Sequence, residues 1–107
     1  MNRTIAVCAQ SVEELALLSE EGKRRAETVG AELTLLLVLP ALQAEAIESA
    51  MQLARRLDAE ARFYCDTDPS RAIRDYMRQE LPLSVLTRRD LKRETHGAPA
   101  ELILCRA

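Results

Sequence analysis

The stretch Gly30 to Pro40, "GAELTLLLVLP", decides the fold. From Leu33 to Leu39 it carries one hydroxyl, that of Thr34, and otherwise only aliphatic side chains. A strand with one wet face alternates apolar with polar residues, whereas a strand covered on both faces reads as a continuous apolar run. Such strands belong to the interior of parallel sheets. The run is far below the roughly 20 residues that a membrane helix needs. Pro40 has no amide to give to a ladder and ends the strand, and Gly30 supplies the left-handed stop that a preceding helix needs.

Upstream, that helix has a marked start. Ser11-Val12-Glu13-Glu14 is a capping box, with a Ser hydroxyl placed to accept an otherwise free helix amide and an acidic residue three positions on. Leu15, Leu18, Gly22, Ala26 and Val29 then recur at three- and four-residue intervals, which predicts one buried stripe. Before it "TIAVCA", Thr4–Ala9, reads as a first strand covered on both faces. Downstream of Pro40, the residues Ala44, Ile47, Met51, Ala54 and Leu57 predict a second amphipathic helix. "AEARFYC", Ala59–Cys65, alternates, with Ala61, Phe63 and Cys65 facing one way and Glu60, Arg62 and Tyr64 the other, as at a sheet edge.

Asp68-Pro69 opens a third helix, since Asp caps well and Pro at the first helical position forfeits no hydrogen bond. Ile73, Tyr76 or Met77, and Leu81 give its inner face, and Pro82 marks its exit. "LSVLT", Leu83–Thr87, is a fourth strand and "ELILC", Glu101–Cys105, a fifth; Asp90 to Gly97 has room for about two helical turns. The order βαβαβαβ(α)β predicts a small doubly wound α/β domain spanning residues 1–107, with a parallel five-stranded sheet, right-handed crossovers and helices on both faces.

Composition narrows the function. The chain has 107 residues and a formal charge of −2, which gives no electrostatic reason to expect nucleic acid or an anionic membrane as a partner. Three cysteines, Cys8, Cys65 and Cys105, form no CxxC pair, and each lies in an apolar stretch where a buried thiol acts as a small hydrophobe. The start "MNRTIAVCAQ" lacks the long apolar run of a signal peptide, so the expectation is a cytoplasmic protein. The single histidine, His96, sits beside Gly97 in a polar stretch without convergent partners, and no nucleophile–base or metal-ligand motif appears. The expectation is a chain that is not an enzyme and holds no metal or cofactor. Arg71, Arg74 and Arg78 share one outer stripe of the third helix, a solvated face that could also meet an acidic protein partner.

With these segments in order, the chain resembles the universal stress protein family over nearly its whole length. The resemblance rests on "TIAVCAQS", on "GAELTLLLVLP", on "TDPSRAIRDYMRQE" (Thr67–Glu80) and on "THGAPAELILC" before the last strand. The chain is also similar to the universal-stress-type segment of potassium-sensing histidine kinases, whose first strand can carry Val-Cys. The resemblance implies a strand order of 3-2-1-4-5, as in adenine-nucleotide alpha-hydrolase-like folds, and a stress-response or regulatory interaction module. It also implies a homodimer paired antiparallel through the last strand, around Leu102, Ile103 and Leu104.

Nucleotide-binding members of that family typically have Asp after the first strand and a G-x-x-G loop after the fourth. Here the first position reads Cys8-Ala9-Gln10-Ser11 and the second Thr87-Arg88-Arg89-Asp90. The expectation is therefore a module that does not bind ATP. The competing expectation is a small anion or nucleotide in the crevice between strands one and four, with Gln10 and Ser11 on one side and Thr87, Arg88 and Arg89 on the other. There the partly positive N-terminus of the first helix would face two guanidiniums.

Overall fold

The computed structural model describes residues 3–88 and 101–104. Along them run β1 (Thr4–Ala9), α1 (Val12–Val29), β2 (Glu32–Leu39), α2 (Ala44–Arg56), β3 (Glu60–Cys65), α3 (Pro69–Glu80), β4 (Ser84–Thr87) and β5 (Glu101–Leu104). The four longest-separated elements of the sheet, β3, β2, β1 and β4, lie parallel in that spatial order. The short β5 runs parallel beside β4, with Val85 opposite Leu102. Val7 lies between Leu35 and Leu86, which puts β1 at the middle of the apolar layer. Residues 90–97, where the sequence has room for a further helix, lie outside the described residues, as do Arg89, His96 and Cys105.

The apolar run of β2 divides between two cores. Leu33, Leu35 and Leu37 join Ile5, Val7 and Leu86 against Leu15, Leu18 and Ala26 of α1 and Ala50, Leu53 and Ala54 of α2. Leu36 and Val38 join Ala6, Cys8 and Val85 against Ala72, Ile73, Tyr76 and Met77 of α3. Period two in each direction gives an unbroken apolar string, which is the pattern that the sequence displays.

Close packing of α1 rests on Gly22. A Cβ there would sit 2.4 Å from Val7 Cγ2 and 3.1 Å from Leu33 Cδ1. The helix then stops at Gly30, whose φ of 69° is left-handed and whose amide turns back to Ala26 and Glu27.

Several side chains depart from their sequence assignment. Val29 is 45 % exposed, because the stripe of α1 leaves the sheet after Ala26. Met51 is 42 % exposed, and the buried stripe of α2 runs instead through Ala50, Leu53 and Ala54, so small residues let that helix lie close. Leu81 is 64 % exposed and left-handed at φ 49°. The proline at 82 disfavours a helical conformation in the residue before it, so Leu81 turns off the helix and away from the inner face. Cys65 is exposed at the end of an edge strand, with its thiol donating to the Pro40 carbonyl at 3.3 Å, whereas Cys8 is buried as expected of a small hydrophobe.

Candidate functional site

All strands are parallel, so their carboxyl ends and the loops that follow share one edge of the sheet. β1 is the point where chain order reverses, with β2 on one side and β4 on the other. A ligand of such a sheet settles outside the strand ends at this switch.

Ser11 leaves β1 in an extended conformation, and its Oγ accepts the Glu14 amide at 3.1 Å while its carbonyl accepts the Leu15 amide at 3.0 Å. The hydroxyl is therefore occupied as a helix cap. Beside it a groove of about 500 Å³ opens between the N-termini of α1 and α2, lined among others by Gln10, Ser11, Glu13, Pro40, Gln43 and Glu45. Two helix N-termini make its floor electropositive. The acidic residues of both first turns, Glu13 and Glu14 on α1 and Glu45 on α2, already answer those dipoles. Glu13 and Glu45 therefore put two carboxylates in the lining of the groove, which disfavours a phosphate there.

The sequence-derived residues divide across this edge. Gln10 and Ser11 line the groove. Thr87 is the buried last residue of β4, one step beyond the Val7–Leu86 pair and hence beside Cys8. Arg88 follows it and is exposed. Because β4 and β2 flank β1 on opposite sides, the groove forms on the β2 side, and its lining includes neither Thr87 nor Arg88. Pro40, Gln43 and Glu45 entered no sequence-based site. The signal was available: the residues after the carboxyl end of β2 belong to the same edge as those after β1.

Elsewhere several ionisable groups satisfy one another, whereas Arg74 Nε is buried without a hydrogen-bond partner. At the opposite edge a groove of about 420 Å³ includes Ile5, Glu21, Arg24, Arg25 and Thr28, and the Glu21 carboxylate accepts from both arginines. Those two hydrogen bonds, Arg24 first, hold Glu21 below the usual carboxylate range. The Arg71 guanidinium does the same for Asp66, which also accepts the Asp68 amide at 2.9 Å. Burial, with a smaller contribution from the Glu14 charge, pushes the Cys8 thiol up to about 12 and leaves it without nucleophilic character near neutrality. Among the described residues no group of three His, Cys, Asp or Glu side chains is arranged to hold a metal ion. No described helix is long and apolar enough to cross a membrane.

No family model matches the chain, and no curated protein matches it. Solved structures do. The universal stress protein from Archaeoglobus fulgidus in complex with dAMP superposes with a TM-score of 0.65 at 14 % identity, over 97 % of this chain and 97 % of that one. A second structure of universal stress protein from the same organism gives 0.64 at 15 %, over 97 % and 98 %. The described residues have the universal stress protein fold. At this identity the likeness speaks for fold alone.

Proposed function

We propose that this universal-stress-protein fold serves as a regulatory interaction module in the cytoplasm, without enzymatic activity and without ATP. The observation that carries this reading is the use of glycine. The chain has three: Gly22, which lets α1 lie against the sheet, Gly30, which stops α1, and Gly97. The glycine-rich loops that cradle phosphate use closely spaced glycines so that backbone amides can approach the oxygens. No such pair remains. The carboxylates of Glu13 and Glu45 at the groove point the same way.

The order of strands supports partnership with a second copy. Among the described residues β5 ends the sheet, and its sequence, Glu101 to Leu104, has no Pro or Lys to guard an edge. Antiparallel pairing around Leu102, Ile103 and Leu104 would continue the sheet across two chains. Ile103→Lys, which sets like charges opposite each other, is expected to shift the protein toward monomer in sedimentation while its helical circular dichroism stays unchanged.

A thermal-shift screen with ATP, AMP, dAMP and inorganic phosphate tests the reading, since a ligand that binds only the native state raises Tm. No nucleotide is expected to do so. A second reading, a small anion or nucleotide between β1 and β4, draws on the exposed Arg88 at the carboxyl end of β4, next to the strand that leads to Gln10 and Ser11. It requires sulfate or phosphate to stabilise more than chloride at equal ionic strength, and the double change Arg88→Ala with Arg89→Ala to abolish that ranking.

A further inference from the structure

The opposite edge of the sheet, β3, has backbone groups and charges arranged to meet themselves. Among the described residues β2 is its one neighbour in the sheet. The Asp66 amide donates to the Leu39 carbonyl at 2.9 Å, and in a parallel ladder alternate residues turn both backbone groups to the same side. Glu60, Arg62 and Tyr64 therefore point their N–H and C=O groups at β2, and Ala61, Phe63 and Cys65 point theirs outward. The register with β2 is consecutive from Glu60 to Cys65, so no bulge twists the edge away, and the strand contains neither Pro nor Lys.

Side chains alternate correspondingly. Ala59, Ala61 and Phe63 pack toward α2, and Arg62 lies over the Tyr76 ring of α3 with its centre 5.7 Å from the ring. On that α3 side Arg62 donates to Glu60 at 2.7 Å and to Glu80 at 2.5 Å.

We propose that β3 pairs antiparallel with β3 of a second copy about a twofold axis through Ala61, closing a four-charge square of Glu60 and Arg62 from each chain. An axis perpendicular to the sheet keeps each face on its own side, so cross-strand partners must have residue numbers of equal parity. Centring on Arg62 pairs the outward groups of Ala61 and Phe63 but sets two guanidiniums against each other at the axis. Centring on Phe63 opposes Glu60 to Asp66. Centring on Ala61 opposes Glu60 to Arg62 twice, at the non-hydrogen-bonded positions where side chains approach most closely. In the same register the outward groups of Ala61 meet their own symmetry mates, and the Phe63 amide meets the Ala59 carbonyl. The Ala59 amide is already given to the Ala54 carbonyl at 2.8 Å, which ends the ladder there.

The α2 face suits the same arrangement. A shallow groove of about 190 Å³, lined by Met51, Ala54, Arg55, Ala59, Ala61 and Phe63, runs beside the strand. The small Ala59 and Ala61 of the second copy come up to its rim, and the exposed Met51 is covered. A ladder this short makes a weak, concentration-dependent contact, separate from any pairing through β5.

Charge exchange tests it. Glu60→Arg alone and Arg62→Glu alone each set like charges opposite one another, and each is expected to weaken self-association through this edge by about tenfold. Mixing the two variants restores the alternation, so the mixture is expected to associate where neither does alone. Pairing through β5 is untouched by either change and survives in both, which keeps the two contacts distinguishable in sedimentation. A second readout needs no variant: amide exchange of Ala61 and Phe63 is expected to slow as the wild-type concentration rises. The proposal is overturned if the mixture sediments as the sum of its parts, or if both amides exchange at one rate up to millimolar protein.

Discussion

The face of the sheet under α1 and α2 and the face under α3 solve the same problem with different chemistry. The first is aliphatic: Ile5, Val7, Leu35 and Leu37 meet Leu15, Leu18 and Leu53, and α1 comes in close enough to require glycine at 22. The second puts ionisable groups in the core. Cys8 and Tyr76 are both buried there, and Tyr76 is tied by a hydrogen bond with Thr34 and by the Arg62 guanidinium over its ring. A dry aliphatic face is sensitive to shape and blind to pH. A face with a buried phenol and thiol tolerates polar contact and becomes sensitive to alkali. Shape and titration should therefore separate the two faces cleanly.

The largest expected effect breaks the aliphatic face. Helix propensity alone favours Gly22→Ala by about 1 kcal/mol. Close packing opposes it, since the new methyl would collide with Val7, whose branched side chain is stiff at χ1. Overpacking wins, and urea unfolding is expected to show a net loss of about 2 kcal/mol. Adding Val7→Ala should return part of it; a stabilised Gly22→Ala would mean that α1 does not lie where it is described.

A smaller effect titrates the other face. Burial pushes the Tyr76 phenol from its ordinary 10 up to about 12, and the Cys8 thiol from 9 to about 12. Both folded values are raised, so the stability they contribute is whole below pH 9 and is lost as the pH rises toward 12. Tyr76→Phe removes one of the two groups. Between pH 8 and 11 it is expected to lose about 1 kcal/mol less than the wild type, whatever its stability at neutrality. Parallel alkaline limbs for the two proteins would mean that Tyr76 is not buried in its neutral form.

These contrasts bear on what the sequence could disclose. The punctuation was local and legible: the Ser11 box, Gly30, Pro40 and Asp68-Pro69 each act through neighbours in the chain, and each bounds an element where expected. Strand covering was legible too, because a run such as Leu33–Leu39 has no other economical use. Rotational phase was not. Met51 and Ala50 are adjacent and both apolar, and which one faces β2 depends on how closely α2 can approach. Leu81 fits the periodicity of α3, yet the proline after it ends the helix first. The groove at the carboxyl edge was half legible, through Gln10 and Ser11, because Gln43 and Glu45 join them only once β1 and β2 lie side by side.

The smallest effect sharpens the contrast at the helix ends. α1 stops on glycine and α3 on a left-handed leucine. An L side chain in that conformation costs on the order of 1 kcal/mol, partly offset by the greater freedom that glycine gives the unfolded chain. Leu81→Gly is expected to gain about 0.5 kcal/mol in thermal or urea unfolding, and a loss would show that the exposed leucine makes a contact of its own.

The central claim, a universal-stress-protein fold that works without nucleotide, meets its most direct test in equilibrium dialysis with labelled ATP and magnesium. The account predicts equal total label on both sides of the membrane, with protein well above any ordinary nucleotide site's Kd. Saturable binding in the low micromolar range would contradict it.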